Sequence, residues 1–227
     1  GFNGAGLDAF ADNVARARET GGLGPLGINI GANRDSADFT EDYVLCLKRL
    51  APLADYVTLN LSSPNTPGLR TLQYGEALKV LLGQIKQCQQ QLATDRGRYV
   101  PIAIKIAPDM TAEEVALVGA TLLEEGMDAV IATNTTVSRD AVSDDPQAQE
   151  AGGLSGKPVF EASNTVIRLL RAHLPTLPII GVGGIDSGDA AKAKMAAGAD
   201  LVQLYSGLIY QGPALVQQCA KALKQGE

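Results

Sequence analysis

The sequence predicts an α/β fold, a (β/α)8 TIM barrel of which strands three to eight are in view. Three observations carry this. Apolar runs of strand length alternate with helical segments along the whole chain. Those runs are nearly continuous Val, Ile and Leu, as parallel strands buried on both faces require. Their spacing, roughly 25–45 residues per unit, suits a barrel better than an open sheet.

The chain opens on Gly1-Phe2-Asn3-Gly4 and enters a helix near 8–20, as though a strand should precede it. Leu26–Ile30 is the first strand, with a helix near 37–50 after it, and Tyr56–Leu61 is the second, with a helix near 73–93. Ile102–Ile106 follows, then a helix near 112–125 that Thr111 and Glu114 open as a capping box. Ala129–Thr133 leads through a long connection to a helix near 160–173; Ile179–Val182 leads to one near 188–196, and Leu201–Tyr205 to one near 213–224. Pro101 and Pro178 stand at strand entrances, where a missing N–H is tolerated. No linker interrupts the pattern, so residues 1–227 are expected to form a single domain. The first two βα units of the barrel are expected to be absent from the sequence.

Composition narrows the function. The chain has 227 residues and a net charge of −6 with no basic cluster, which argues against nucleic acid as partner. There is no apolar run of roughly 18 residues to cross a membrane, and the N-terminus lacks the basic start and apolar segment of a signal peptide. Cys46, Cys88 and Cys219 are odd in number and lie in helical patterns; they read as buried thiols of a reducing compartment. His173, the only histidine, reads as a helix-terminal cation. A Ser-His-Asp triad and a His-rich metal site are thereby disfavoured, no metal ligands are expected, and any catalysis must proceed without imidazole.

Polar residues and glycines gather at the strand ends, where α/β proteins keep their chemistry. The first strand ends in Asn29-Ile30-Gly31-Ala32-Asn33. The second delivers Asn60-Leu61-Ser62-Ser63-Pro64-Asn65-Thr66-Pro67-Gly68-Leu69-Arg70, a stiff, polar run suited to a planar polar molecule. The third carries Lys105, on the face of Ala103 and opposite three isoleucines, hence inward. That lysine fits a Schiff-base nucleophile, a fixed charge against an electron-rich ring, or a side chain reaching for solvent. The fourth ends in Thr133-Asn134-Thr135-Thr136. Gly181-Val182-Gly183-Gly184-Ile185 fails the dinucleotide fingerprint, because Asp186 stands where its last glycine should. With the Tyr205-Ser206-Gly207 turn it fits the phosphate site of a barrel instead. Gly152-Gly153-Leu154-Ser155-Gly156 is a flexible linker or a backbone clamp.

These segments resemble, in order and spacing, the dihydroorotate dehydrogenases of the membrane-associated, quinone-reducing class, with agreement from Gly1 to about Pro213. The resemblance implies an FMN-bearing barrel that oxidises dihydroorotate to orotate in pyrimidine synthesis and passes electrons to a quinone. It makes Ser63 the catalytic base, where the cytosolic class usually has cysteine. It makes Phe2 and Thr66 neighbours of the proton's exit path, and places Phe2, Asn60, Asn65, Asn134 and Thr135 around substrate. It assigns Asn29, Asn60, Lys105, Thr133, Gly156, Gly183, Gly184, Tyr205 and Ser206 to FMN. It also implies peripheral contact with the cytoplasmic side of a bacterial inner membrane, or with the mitochondrial inner membrane, through an N-terminal segment not in view. Gly4 departs from the Asn or Ser frequent in relatives. The rival readings are a Lys105 Schiff-base lyase on a phosphate-binding barrel and a non-catalytic ligand-binding remnant.

Overall fold

A computed structural model describes residues 4–22 and 24–225. Six parallel strands form one sheet in chain order: β1 Gly27–Ile30, β2 Tyr56–Asn60, β3 Ile102–Ile106, β4 Ala129–Ala132, β5 Ile179–Val182 and β6 Leu201–Gln203. Helices fill the connections: α1 Leu7–Glu19, α2 Phe39–Leu50, α3 Gly75–Arg96, α4 Ala112–Glu124, α5 Phe160–His173, α6 Gly188–Ala196, α7 Ser206–Gln211 and α8 Ala214–Lys224. The result is the greater part of a (β/α)8 barrel, an arc of six strands with helices on its outer face.

The two faces of β3 show how the arc is sorted. Ile102, Ile104 and Ile106 pack outward into the large core shared with α2, α3, α4 and α5. Ala103 turns inward and packs with Ile131 of β4 and Val182 of β5. Lys105, two residues on, shares that inner face at the carboxyl end, as its alternation with the isoleucines predicts.

The opposite, amino-terminal end carries a device repeated every second strand. Asp55 accepts from the Leu26 N–H ahead of β1 and from Arg18, both at 2.7 Å. Asp128 accepts from Ile102 N–H and Gln89, both at 2.8 Å. Asp200 accepts from Ile179 N–H at 2.7 Å and pairs with Arg171. Each carboxylate precedes one strand and caps the entry of the strand before it, satisfying an amide that has no ladder partner.

The capping box at Thr111 forms as expected: Glu114 N–H donates to Thr111 Oγ1 at 3.2 Å and Thr111 N–H to Glu114 Oε2 at 2.7 Å. His173 is the last residue of α5. Several boundaries need correction, among them β2, which ends at Asn60 rather than Leu61, and β4, which ends at Ala132 rather than Thr133. The strand expected to reach Tyr205 ends at Gln203, because the backbone turns at Tyr205 (φ −139°, ψ −76°) to start a helix. The turn expected at Ser206-Gly207 is therefore the first turn of α7. Residues 69–73 make a separate 3-10 turn, so the following helix starts at Gly75 rather than 73. Cys88 and Cys219 are buried, but Cys46 is only half-buried, contrary to the expectation for all three.

Candidate active site

A cavity of about 330 Å³ opens at the carboxyl ends of the strands. Asn29, Asn60, Ser63, Asn65, Lys105, Thr133, Asn134, Thr135, Gly156, Gly183, Gly184, Tyr205 and Ser206 all line it. Every residue expected at the site is thus brought to one hollow except Phe2, which lies outside the described residues. Thr66, Asn29, Asn60 and Ser63 also border a wider, open hollow beside the loop after β1.

Asn134 organises the polar floor. Its Nδ2 donates to Asn60 Oδ1 at 2.8 Å and to Ser62 Oγ at 2.9 Å, and its Oδ1 accepts from Thr135 N–H at 2.8 Å. Ser62 Oγ in turn donates to Lys105 O at 2.8 Å. Buried Tyr43 pins the end of β2 from below, its hydroxyl donating to Asn60 O at 2.7 Å. Strands β2, β3 and β4 are therefore cross-tied at the cavity by side chains, beyond their ladder bonds.

The adjacent serines divide their work. Ser62 is fully buried and spends its hydroxyl on the protein, whereas half-buried Ser63 faces the cavity, its Oγ accepting only from Asn65 N–H at 3.3 Å among the described residues. Arg70, read from sequence as part of the ligand-holding run, also turns to the protein. It donates to Ser62 O at 3.1 Å, to Asp109 at 2.9 Å and to Thr135 O at 3.0 Å. Asp109 accepts from Thr136 Oγ1 as well, and from Val137 N–H at 3.1 Å. This ion pair ties the root of the Ser63 loop to the loops after β3 and β4.

Lys105 reaches the cavity with no hydrogen bond or ion pair among the described residues, and burial holds its ammonium below the ordinary lysine pKa. A buried cation without a partner is costly, so the site favours a ligand that presents electron density there. Gln203, the last residue of β6, was not expected at the site; it lines the cavity with a buried Oε1 that accepts from no described residue. Ser155 and Val159 also border it, and only the polarity of Gln203 and Ser155 gave a sequence signal.

The far wall is built of backbone. Gly184 has φ +72°, and a Cβ there would sit 2.6 Å from Phe160 Cβ and 3.0 Å from Gly156 O. Only glycine lets these segments meet so closely, which leaves main chain facing the cavity. Such a wall, beside Ser206 at the start of α7, fits a phosphate group, and the unpartnered Lys105 and Gln203 fit a polar ring.

Residues 1–226 match the dihydroorotate dehydrogenase family. Proteins described as dihydroorotate dehydrogenase (quinone) are similar throughout. That of Burkholderia thailandensis is 56% identical over 230 residues, covering 100% of this chain and 66% of its own length. That of Janthinobacterium sp. (strain Marseille) is 57% identical over 227 residues, covering 98% of this chain and 66% of its own. Among solved structures, DHODH of Eimeria tenella in complex with ferulenol superposes with a TM-score of 0.89 at 34% identity, covering 100% of this chain and 67% of that one. Its ligand-free form gives 0.88 at 32% identity, covering 98% and 67%. The chain spans just under two thirds of the length of these curated relatives. On the match over residues 1–226, the sequence identity and the shared fold, the chain belongs to the dihydroorotate dehydrogenase family.

Proposed function

We propose that this chain is the catalytic barrel of a quinone-dependent dihydroorotate dehydrogenase, a single domain over residues 1–227 that binds FMN and oxidises dihydroorotate to orotate in pyrimidine biosynthesis. The observation that carries the reading is a serine, a lysine without a partner among the described residues and a glycine-built wall facing one cavity. Naming of the relatives as quinone enzymes supports the acceptor. The membrane contact that the resemblance implies is peripheral, at a bacterial or mitochondrial inner membrane; among the described residues no helix is long and apolar enough to cross a membrane.

FMN, when bound, supplies the acceptor for the hydride leaving substrate C6. Ser63 Oγ takes the proton from C5, on a loop placed beside the cavity by Arg70. A serine hydroxyl is a poor base alone, so removal is concerted with hydride loss or relayed onward, with Thr66 and Phe2 on the exit path. Asn60, Asn65, Asn134 and Thr135 hold the substrate ring and its carboxylate; an amide offers both donor and acceptor to a ring rich in C=O and N–H. Lys105 would hold positive charge against the cofactor ring, with Asn29, Asn60 and Thr133 also binding the cofactor, and Gly156, Gly183, Gly184, Tyr205 and Ser206 would hold its phosphate end. The proline-bounded Ser63 loop closes over substrate.

Ser63→Ala tests the assignment. FMN content is expected to stay at wild-type level while flavin bleaching by dihydroorotate, followed by stopped flow, slows roughly 10²–10⁴-fold, the usual contribution of a general base. Bleaching at the wild-type rate would remove Ser63 from this role.

A further inference from the structure

Between β4 and α5 the chain makes a long excursion from residue 137 to residue 153. Its ends are joined by a two-residue antiparallel bridge, Thr136 N–H to Leu154 O at 3.0 Å and Leu154 N–H to Thr136 O at 2.8 Å. One side chain fills the loop so formed. Arg139 donates through Nε to Ala148 O at 3.1 Å and through Nη2 to Glu150 O at 3.0 Å and Gly152 O at 2.7 Å. Its Nη1 shares Thr136 O, Val137 O and Ser138 O at 3.4, 3.2 and 3.2 Å. Among the described residues it pairs with no carboxylate. A guanidinium here replaces the ladder bonds that the excursion lacks.

Gly152, whose carbonyl it holds, and its neighbour Gly153 lie against the proposed catalytic machinery. A Cβ on Gly153 would fall 1.9 Å from Thr135 Oγ1 and 2.9 Å from Pro64 Cγ, and one on Gly152 would fall 3.1 Å from Asn65 Oδ1. Gly153 needs no unusual backbone conformation, since its φ lies outside the left-handed region. Its lack of a side chain reflects proximity alone. The bare backbone of 152–153 is thus pressed between Thr135 and the Ser63 loop.

We infer that Arg139 is a positioning residue: by gathering the carbonyls of the 137–153 excursion it fixes the Gly152–Gly153 backbone as the stop against which the Ser63 loop and Thr135 are seated. The inference rests on the function proposed above. Arg139→Ala is expected to keep its FMN and to raise the KM for dihydroorotate tenfold or more, with a smaller fall in the limiting rate of flavin reduction. Hydrogen exchange at Ser63, Asn65, Thr66 and Gly68, read on the protein without substrate, should quicken tenfold or more. Arg139→Lys should behave as the alanine variant, because one compact ammonium cannot reach both ends of this carbonyl set. Gly153→Ala, which leaves Arg139 and its bonds alone, should give the same KM increase and serves if the arginine variants do not fold. Substrate KM and flavin reduction within twofold of wild type in Gly153→Ala and in any folded Arg139 variant would overturn the inference, as would unchanged exchange in the Ser63 loop of those variants. Wild-type protein whose flavin is not bleached by dihydroorotate would instead overturn the proposed function, and the exchange measurement would still decide the coupling between the loops.

Discussion

Lys194 shows what a single side chain can hide. It lies on α6 with no solvent exposure, its ammonium 3.4 Å from Phe160 O and 4.8 Å from the centre of the Phe160 ring. Burial, more than the nearby Arg168, pulls its pKa down to about 7, with Glu161 acting in the opposite direction. The unfolded chain therefore holds a proton between about pH 7 and 10.5 that the folded chain has lost, so stability rises with pH across that window. Below pH 7 both states are protonated and the full penalty applies. Lys194→Met is expected to flatten this slope and to raise stability at pH 7, while changing little near pH 11; urea unfolding at both values checks it. In sequence, Lys194 sits in Ala-Ala-Lys-Ala-Lys-Met, where nothing distinguishes it from Lys192. Lys105 was legible because a lone charge in a run of isoleucines has to face a cavity or its strand fails. Ser62 and Ser63 were separated only by the family resemblance, since chemistry alone does not say which of two adjacent hydroxyls turns inward.

At the scale of elements, the strands were legible because burial on both faces demands unbroken Val, Ile and Leu. Their polar ends were less so: Thr133 and Tyr205 have the composition of strand but lie where the backbone departs to build the site. The aspartates at the other end were open to reading, in Ala-Asp-Tyr-Val, Met-Asp-Ala-Val and Ala-Asp-Leu-Val, yet their role depends on a neighbouring strand far off in sequence. Asp128 also accepts from Tyr99, whose hydroxyl is pushed up to about 12, chiefly by burial and then by this bond. Asp128→Ala strands Ile102 N–H, while Gln89 keeps its bond to Val100 O, and is expected to cost about 1–3 kcal/mol, measured by chemical denaturation, with ligand affinity unchanged. Arg70→Ala should differ in kind. Its ion pair with Asp109 is only 22% exposed on either side, and its loss should cost about 1–3 kcal/mol. Because it also frees Ser62 O and Thr135 O, flavin reduction should fall as well.

At the scale of the molecule, the sheet runs β1 to β6 with both outer strands unpaired on one side among the described residues. Near β6 the surface is apolar, with Tyr205, Ile209 and Tyr210 exposed at 69, 71 and 88%. Open strand edges and bare apolar patches template association. A polypeptide of residues 1–227 alone is therefore expected to self-associate, as a concentration-dependent mass in light scattering. The charge of −6 moderates this only in part, since screening is strong at physiological salt.

The sequential strand order has a consequence for assembly. Each strand pairs with the next in chain order, so the arc can grow one unit at a time, though every parallel pairing must close across an intervening helix. The cavity obeys a different rule: it takes Asn29 from the first strand and Tyr205 and Ser206 from just beyond the last. No partly built arc can hold the ligand. Binding therefore favours the finished state alone, and ligand at about a hundred times its dissociation constant should add about 2.7 kcal/mol to its stability. The ligand in this way does the work of a keystone, set last and locking what was laid before it.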